Sequence, residues 1–174
     1  MPEGNTPPTS GANKMWYVIG GIIVLALIGW LLMRGATGMM GMAAGVNTDS
    51  HMDGSTTYTD AQGNSATVGG TSMPENWPSD APANYSGATI VYSGTSNPQT
   101  GKAGSAVSYS AHGSVSAVAD YYKQQLTSAG WSIQGTASMG GATVVSATKS
   151  GRTFGAYITD TGDGNVTVTA GIEM

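Results

Sequence analysis

The residues best suited to chemistry lie in a short segment that combines methionine with histidine. His51 and Met52 are adjacent, and Met39, Met40 and Met42 precede them. Thioether and imidazole groups are soft ligands of the kind that Cu(I) prefers. One interpretation is a copper site formed by these five residues. The other is that they are ordinary residues of a linker.

Two further polar groups have simpler explanations than catalysis or calcium binding. The run from Asp160 to Asn165 lacks the acidic spacing and the closing Glu of an oxygen-ligand calcium loop, so we interpret it as a hairpin turn. His112 stands near Ser110 and Ser114, but a Ser/His pair needs an orienting acid and an oxyanion site. No G-x-S-x-G, H-E-x-x-H or phosphate-binding glycine loop occurs. We therefore expect no enzyme activity and no cofactor.

Composition excludes several other classes of function. The 174 residues include 6 Lys and Arg against 10 Asp and Glu, so no basic surface favours nucleic acid as a partner. The absence of cysteine excludes disulfides, thiolate metal sites and a cysteine nucleophile. Only 9% of the residues are charged, against about 25% in ordinary domains, so Ser and Thr must supply most of the polar surface.

The segment from Met15 to Met33 is the longest apolar run in the chain. It is uncharged, and an α-helix of this length can cross the roughly 30 Å of hydrocarbon in a bilayer. Trp16 and Trp30 stand near its two ends, where aromatic rings favour the membrane interface. The pattern predicts a single-pass membrane protein, with the lipid bilayer as its first partner.

The predicted anchor is longer than the apolar core of a signal peptide, which favours an uncleaved signal-anchor over a cleaved leader. Lys14 and Arg34 flank the segment and nearly balance each other under the positive-inside rule. A free N-terminal amine would add one charge to the short head. We therefore predict that the C-terminal domain lies outside the cell membrane.

Four regions follow from these patterns. Residues 1–14 form a short disordered tail, and residues 15–34 contain the predicted transmembrane helix. Residues 35–73 are rich in Gly, Ser, Thr and Met without sustained periodicity, which is typical of a flexible linker. Residues 74–174 carry regular patterns and are predicted to form an α+β extracytoplasmic domain.

The helix is the best-specified element of that domain. Ser114 is suited to the N-cap, and Gly130 stands where a left-handed residue ends a helix, followed by Trp131 to close over Leu126. Between these signals the apolar residues recur at helical spacing and predict one buried face: Val115, Val118, Ala119, Tyr122, Leu126 and Ala129.

The remaining segments alternate or carry β-branched residues, and they are predicted to be strands. The predicted fold class is α+β: an N-terminal transmembrane helix, a flexible linker, and a small antiparallel sheet with one packed helix in the order β-β-α-β-β-β-β. The strand segments are Thr89–Ser93, Ala106–Ala111, Trp131–Gly135, Thr143–Thr148, Thr153–Thr159 and Asn165–Ile172.

The helix segment also resembles a known pattern. Asp120, Tyr122, Leu126, Gly130 and Trp131 match the D-x-Y-x-x-x-L-x-x-x-G-W segment of small extracytoplasmic domains in uncharacterised bacterial envelope proteins and lipoproteins. Two flanking patterns are similar as well, W-P-x-D-x-P and K-x-G-R: Trp77, Pro78, Asp80 and Pro82, then Lys149, Gly151 and Arg152. The resemblance spans residues 74–174 and implies a fold and an envelope setting, but no activity. A lipoprotein would carry a cysteine, which this chain lacks.

These observations predict a membrane-anchored envelope protein that presents a small non-catalytic binding or scaffolding domain. Its partner would be an envelope protein or a polymer that contacts exposed Thr and Tyr residues of the sheet. Two alternatives stay open: copper binding by the Met/His linker, and a structural subunit of a surface polymer.

Overall fold

A computed structural model describes residues 47–59, 65–97, 103–139 and 141–174 of the chain. Within these residues, nine strands form one antiparallel sheet and a single helix packs on it. The elements are β1 (Asn47–Ser50), β2 (Thr56–Thr59), β3 (Ser65–Gly70), β4 (Thr89–Asn97), β5 (Gly104–His112), α1 (Val115–Ser128), β6 (Ser132–Met139), β7 (Ala142–Lys149), β8 (Arg152–Gly162) and β9 (Asn165–Glu173).

The strand order across the sheet is β1-β2-β3-β4-β5-β9-β8-β7-β6. Strands β1 to β5 follow one another along the chain. Helix α1 then carries the chain to the far edge, where β6, β7 and β8 run back towards the centre. The last strand, β9, closes the gap between β5 and β8. This return joins the two halves of the sheet without a second crossover helix.

Helix α1 begins and ends where its sequence signals predict. The Ser114 side chain accepts a hydrogen bond from the Ala117 amide at 3.1 Å, which caps the N-terminus. At the other end the Trp131 amide donates to the Leu126 carbonyl at 2.9 Å, and the Gly130 amide donates to the Thr127 carbonyl at 3.0 Å. Gly130 has φ +77°. The predicted Schellman ending is therefore confirmed.

The core lies between α1 and the strands opposite it. The helix contributes Val118, Ala119, Tyr122 and Leu126. The sheet contributes the apolar side chains of alternate positions in β5, β7, β8 and β9, and the fully buried ones include Tyr109, Val145, Phe154, Ile158 and Val168. Because these side chains are almost completely buried and belong to one cluster, the helix and the sheet share a single hydrophobic core.

The segment between β3 and β4 crosses the same face of the sheet as the helix. Trp77 packs edge-on against Phe154 with ring centroids 6.5 Å apart. Its indole nitrogen donates a hydrogen bond to the Pro82 carbonyl at 3.1 Å. Met73 and Tyr85 also contact the core. The two prolines at positions 74 and 78 therefore guide an ordered strap, defined here as residues 71–88, across the sheet.

The predicted fold class was wrong. The described chain is dominated by one large nine-stranded sheet rather than a small sheet with one helix, and it fits the α+β class only loosely. The largest difference lies in the predicted flexible linker, residues 35–73, because β1, β2 and β3 fall within it and extend the sheet. These strands are rich in Ser and Thr. Such residues are compatible with a β-strand, but they are not apolar, so the alternation of apolar and polar residues that marks a strand is absent.

The membrane part of the predicted fold is corrected as well. Among the residues that the structure describes, no helix has the length and apolar character needed to span a bilayer. The predicted transmembrane segment Met15–Met33 lies outside the described residues.

A polar groove as the candidate functional site

The face of the sheet that carries α1 changes from apolar to polar side chains towards β1. Directly paired residues of neighbouring strands have their side chains on the same face. Ser93 pairs with Val107, a core residue, so its side chain also lies on the helix side. Thr95, Thr67 and Thr57 continue this face across β4, β3 and β2. Hydroxyl groups thus replace apolar side chains beyond the end of the core.

These hydroxyls border a groove of about 470 Å³ between the sheet, the strap and the turn that joins β1 to β2. The turn contributes His51, Met52 and Asp53, and the strap contributes Met73 and Glu75. No lysine or arginine is found among the described residues that line it. The groove is therefore polar and carries the charge of two carboxylates.

The β1–β2 turn is held by hydrogen bonds that also order the groove wall. The His51 amide donates to the Ser55 carbonyl at 2.8 Å, and the Asp53 Oδ1 atom accepts from both the amide and the hydroxyl of Ser55, at 2.9 and 2.6 Å. The hydroxyl and the amide of Ser55 lower the pKa of Asp53, so this carboxylate is ionised at neutral pH. Its Oδ2 atom has no hydrogen-bond partner among the described residues.

A second chain of hydrogen bonds runs across the groove floor. The His51 Nε2 atom lies 2.8 Å from the Thr57 Oγ1 atom, which lies 2.7 Å from the Thr67 Oγ1 atom. An imidazole next to a hydroxyl is one element of a nucleophile–base pair. However, His51 Nδ1 receives no orienting hydrogen bond from any side chain that the structure describes, so the third group of a triad is missing.

Ser93 is the most unusual residue of the groove. The residue is only 6% exposed, but its hydroxyl, which has no hydrogen-bond partner among the described residues, is reached from the groove, because no side-chain polar atom of the described chain is both buried and unpaired. A Cβ atom added to Gly70 would lie 2.5 Å from the Ser93 Oγ atom. Gly70 therefore leaves room for the Ser93 side chain, and a larger residue at position 70 would displace its hydroxyl. A ligand that enters the groove can therefore form a hydrogen bond with this hydroxyl, which can both donate and accept.

The predicted copper residues are only partly brought together. His51 and Met52 both line the groove, and Met52 is fully exposed. Met39, Met40 and Met42 lie outside the described residues. In the described part of the chain, no group of three or more His, Cys, Asp or Glu side chains could hold a metal ion. Copper binding by these five residues stays a prediction.

The other polar groups singled out in the sequence have structural roles. Asp163 and Gly164, with φ of +54° and +72°, form the turn between β8 and β9, as the hairpin interpretation predicts. Asp160 accepts a hydrogen bond from the Gly162 amide at 2.7 Å beside this turn. His112 pairs with Asn165 across β5 and β9 and lies 3.4 Å from its side-chain oxygen.

The three sequence patterns behind the family resemblance meet in one cluster. Asp80 in the strap accepts two hydrogen bonds from Arg152, and Lys149 approaches the same carboxylate at 2.7 Å. The Asp80 carbonyl accepts a hydrogen bond from the Trp131 indole at 2.6 Å, and the Arg152 guanidinium lies 5.0 Å from the Trp131 ring centroid. Lys149 also donates to the Ala129 carbonyl. This cluster anchors the strap and, with it, one wall of the groove.

Sequence reasoning missed the groove because most of its lining lies in the predicted linker. The available signal was the density of β-compatible residues in two short runs, Thr56–Thr59 and Ser65–Val68. Their pairing with β4 brings Thr57 and Thr67 next to Thr95. The residue types therefore indicate that these two runs are strands, but they do not indicate which strands they pair with.

Comparison with known proteins finds one similarity, which covers part of the chain. A family model described as START domain-like matches residues 90–169, slightly less than half of the chain. The match begins in β4, includes α1 and ends in β9, so it contains Ser93 and Thr95 but not the groove residues of β2, β3 and the strap. No curated protein and no solved structure matches the chain significantly.

Proposed function

We propose that this chain is a non-catalytic binding protein and that the polar groove is its ligand site. The observation that carries the proposal is the Ser93 hydroxyl, which lines the groove, has no hydrogen-bond partner within the described chain and lies in the space that Gly70 leaves free beside it. The groove has the size of a small-molecule site and offers several hydroxyls for hydrogen bonds.

The contacts within the groove favour binding over catalysis. The Oδ1 atom of Asp53 is held by Ser55, and His51 contacts Thr57 without an orienting acid in the described chain. The walls are held in place by the β1–β2 turn on one side and by the anchored strap on the other. A site whose walls are already ordered loses less entropy when it binds.

Thermal unfolding with a panel of small polar molecules tests the proposal, because a ligand that binds the folded state raises its stability. The panel covers amines, polyols, amino acids and carboxylic acids. Thr67→Phe fills the groove, and Thr169→Phe places the same bulk on the opposite face of the sheet, where Thr169 contacts Ser108.

We expect at least one compound to raise the unfolding temperature of the wild type and of Thr169→Phe, but not of Thr67→Phe. Stabilisation that survives in Thr67→Phe, or a panel without any effect on the wild type, would contradict the proposal.

The predicted extracytoplasmic location and the envelope partner stay predictions from the sequence. A binding role for the groove does not depend on the compartment, because the residues that line it all lie between His51 and Thr95.

A further inference from the structure

We infer that the groove selects a hydroxyl-rich molecule that carries a cationic amine, an inference that rests on the proposed function above. Three properties of the groove lead to it: the sign of its charge, the type of its neutral polar groups, and the Ser93 hydroxyl, which has no hydrogen-bond partner among the described residues.

The charge of the groove excludes anionic ligands. Asp53 and Glu75 contribute carboxylates, and the described lining contains neither lysine nor arginine. Phosphate, sulfate and carboxylate groups are bound in proteins by guanidinium or ammonium groups or by helix N-termini, none of which faces this groove in the described chain. The net charge of −4 adds a long-range attraction for cations.

The Asp53 carboxylate is prepared to accept a donor from a ligand. Its Oδ1 atom is held by Ser55, while Oδ2 receives no hydrogen bond from the described residues. An ammonium group supplies hydrogen-bond donors together with the opposite charge, and such charge-assisted hydrogen bonds are about twice as strong as neutral ones.

The neutral lining favours hydroxyl groups over an apolar ligand body. The side chains of Ser55, Thr57, Thr67, Ser93 and Thr95 line the groove, and each hydroxyl can both donate and accept. A ligand hydroxyl has the same dual capacity, so it can pair with Ser93 whichever way that group is oriented. No Phe, Tyr or Trp occurs among the described lining residues, so the groove offers no large aromatic ring on which a ligand could stack.

Three sugars of nearly the same size separate the contribution of the charge from that of the hydroxyl groups: glucosamine, glucose and glucuronic acid. Each is titrated into the full chain by isothermal calorimetry, at a pH at which the amine of glucosamine is protonated. We expect glucosamine to bind about tenfold more tightly than glucose, because one charge-assisted contact is added. We expect no measurable heat from glucuronic acid.

Three variants, one of them a control outside the groove, connect this preference to named residues. Glu75→Gln should reduce the preference for glucosamine over glucose at least about threefold, since it removes one exposed groove carboxylate without changing shape. Asp120→Asn removes an exposed carboxylate from α1, outside the groove, and should leave the preference unchanged. Gly70→Ala forces the Ser93 hydroxyl to rotate and should weaken both sugars together.

The outcomes separate this inference from the function on which it rests. Equal affinities for glucose and glucosamine, both weakened by Gly70→Ala, would overturn the amine preference while the groove remained a binding site. Tighter binding of glucuronic acid would overturn the preference as well. If no sugar binds, the inference fails, and the polar panel described above then decides whether the proposed function fails with it.

Discussion

Arg152 and Asp80, which are 72 positions apart in the sequence, are joined by two parallel hydrogen bonds: Nη1 to Oδ1 at 2.8 Å and Nη2 to Oδ2 at 2.7 Å. Arg152 opens β8 and Asp80 lies in the strap, so the pair fixes the strap against the sheet. Two-pronged arginine–carboxylate contacts of this kind combine strength with a defined geometry. The same strap supplies Met73 and Glu75 to the groove.

Asp80→Ala should lower the free energy of unfolding by about 1–3 kcal/mol, because both Arg152 and Lys149 lose a charged acceptor. Urea unfolding measures the change. The control is Asp120→Ala, which breaks an exposed pair with Lys123 on α1 and should cost about 0.5 kcal/mol or less. Equal losses in the two variants would show that the Asp80 cluster is only a surface ion pair.

Acid unfolding should depend on Asp80. Hydrogen bonds from Arg152 and Lys149 hold the pKa of Asp80 far below its ordinary value. The unfolded chain therefore takes up this proton first, so the stabilisation is present above the ordinary pKa and is lost as the pH falls below about 5 towards the folded-state pKa.

The free energy of unfolding of the wild type should consequently fall more steeply with decreasing pH than that of Asp80→Asn. Asp163→Asn, in the β8–β9 turn, serves as the control and should follow the wild type. Identical slopes for the wild type and Asp80→Asn would contradict the assignment.

The buried hydroxyls of Tyr109 and Tyr122 should be energetically coupled. They lie 2.8 Å apart in the core, and the Tyr109 oxygen also accepts a hydrogen bond from the Tyr85 amide at 3.2 Å. Tyr122→Phe should cost about 1–2 kcal/mol, since it leaves Tyr109 with one partner fewer in a dry environment. The half-exposed Tyr157 provides the control, and Tyr157→Phe should change little.

A double-mutant cycle measures this coupling. Once either hydroxyl has been removed, removing the other no longer breaks their mutual hydrogen bond, so the double variant should lose less than the sum of the two single losses. Strict additivity would mean that the two hydroxyls do not stabilise each other.

Gly130→Ala should destabilise the chain by about 1–2 kcal/mol through its backbone alone. Gly130 adopts φ +77°, and an added Cβ atom would meet nothing within 4 Å, so the cost contains no steric clash with neighbouring residues. Gly130→Asn should lose less, because asparagine tolerates the left-handed region better than alanine. Thermal unfolding of the two variants checks this order, and the reverse order would contradict the Schellman ending.

The sequence predicts the helix well because its signals are local. Ser114, Gly130 and Trp131 act within a few residues of the helix ends, and each performs the predicted role. The turns at Ser150–Gly151 and Asp163–Gly164 are predictable for the same reason, since a positive φ at both positions selects the residues.

The size of the sheet and the groove were not predictable in this way. Thr57 and Thr67 are ten positions apart, and only the antiparallel pairing of β2 with β3 makes their hydroxyls neighbours. Polar strands lack the alternation of apolar and polar residues that marks a half-buried strand, so their pairing depends on long-range contacts. The same limit applies to Asp80 and Arg152. Both belong to recognisable sequence patterns, but the sequence does not predict that their side chains are in contact.

The most direct test of the groove as a ligand site is a map of backbone amide shifts during titration of the ¹⁵N-labelled chain with glucosamine. The largest shifts should occur at Thr57, Thr67 and Ser93 on the groove side, and Thr167 and Thr169 on the opposite face should change little. Shifts confined to Thr167 and Thr169, or spread evenly over the sheet, would contradict the account.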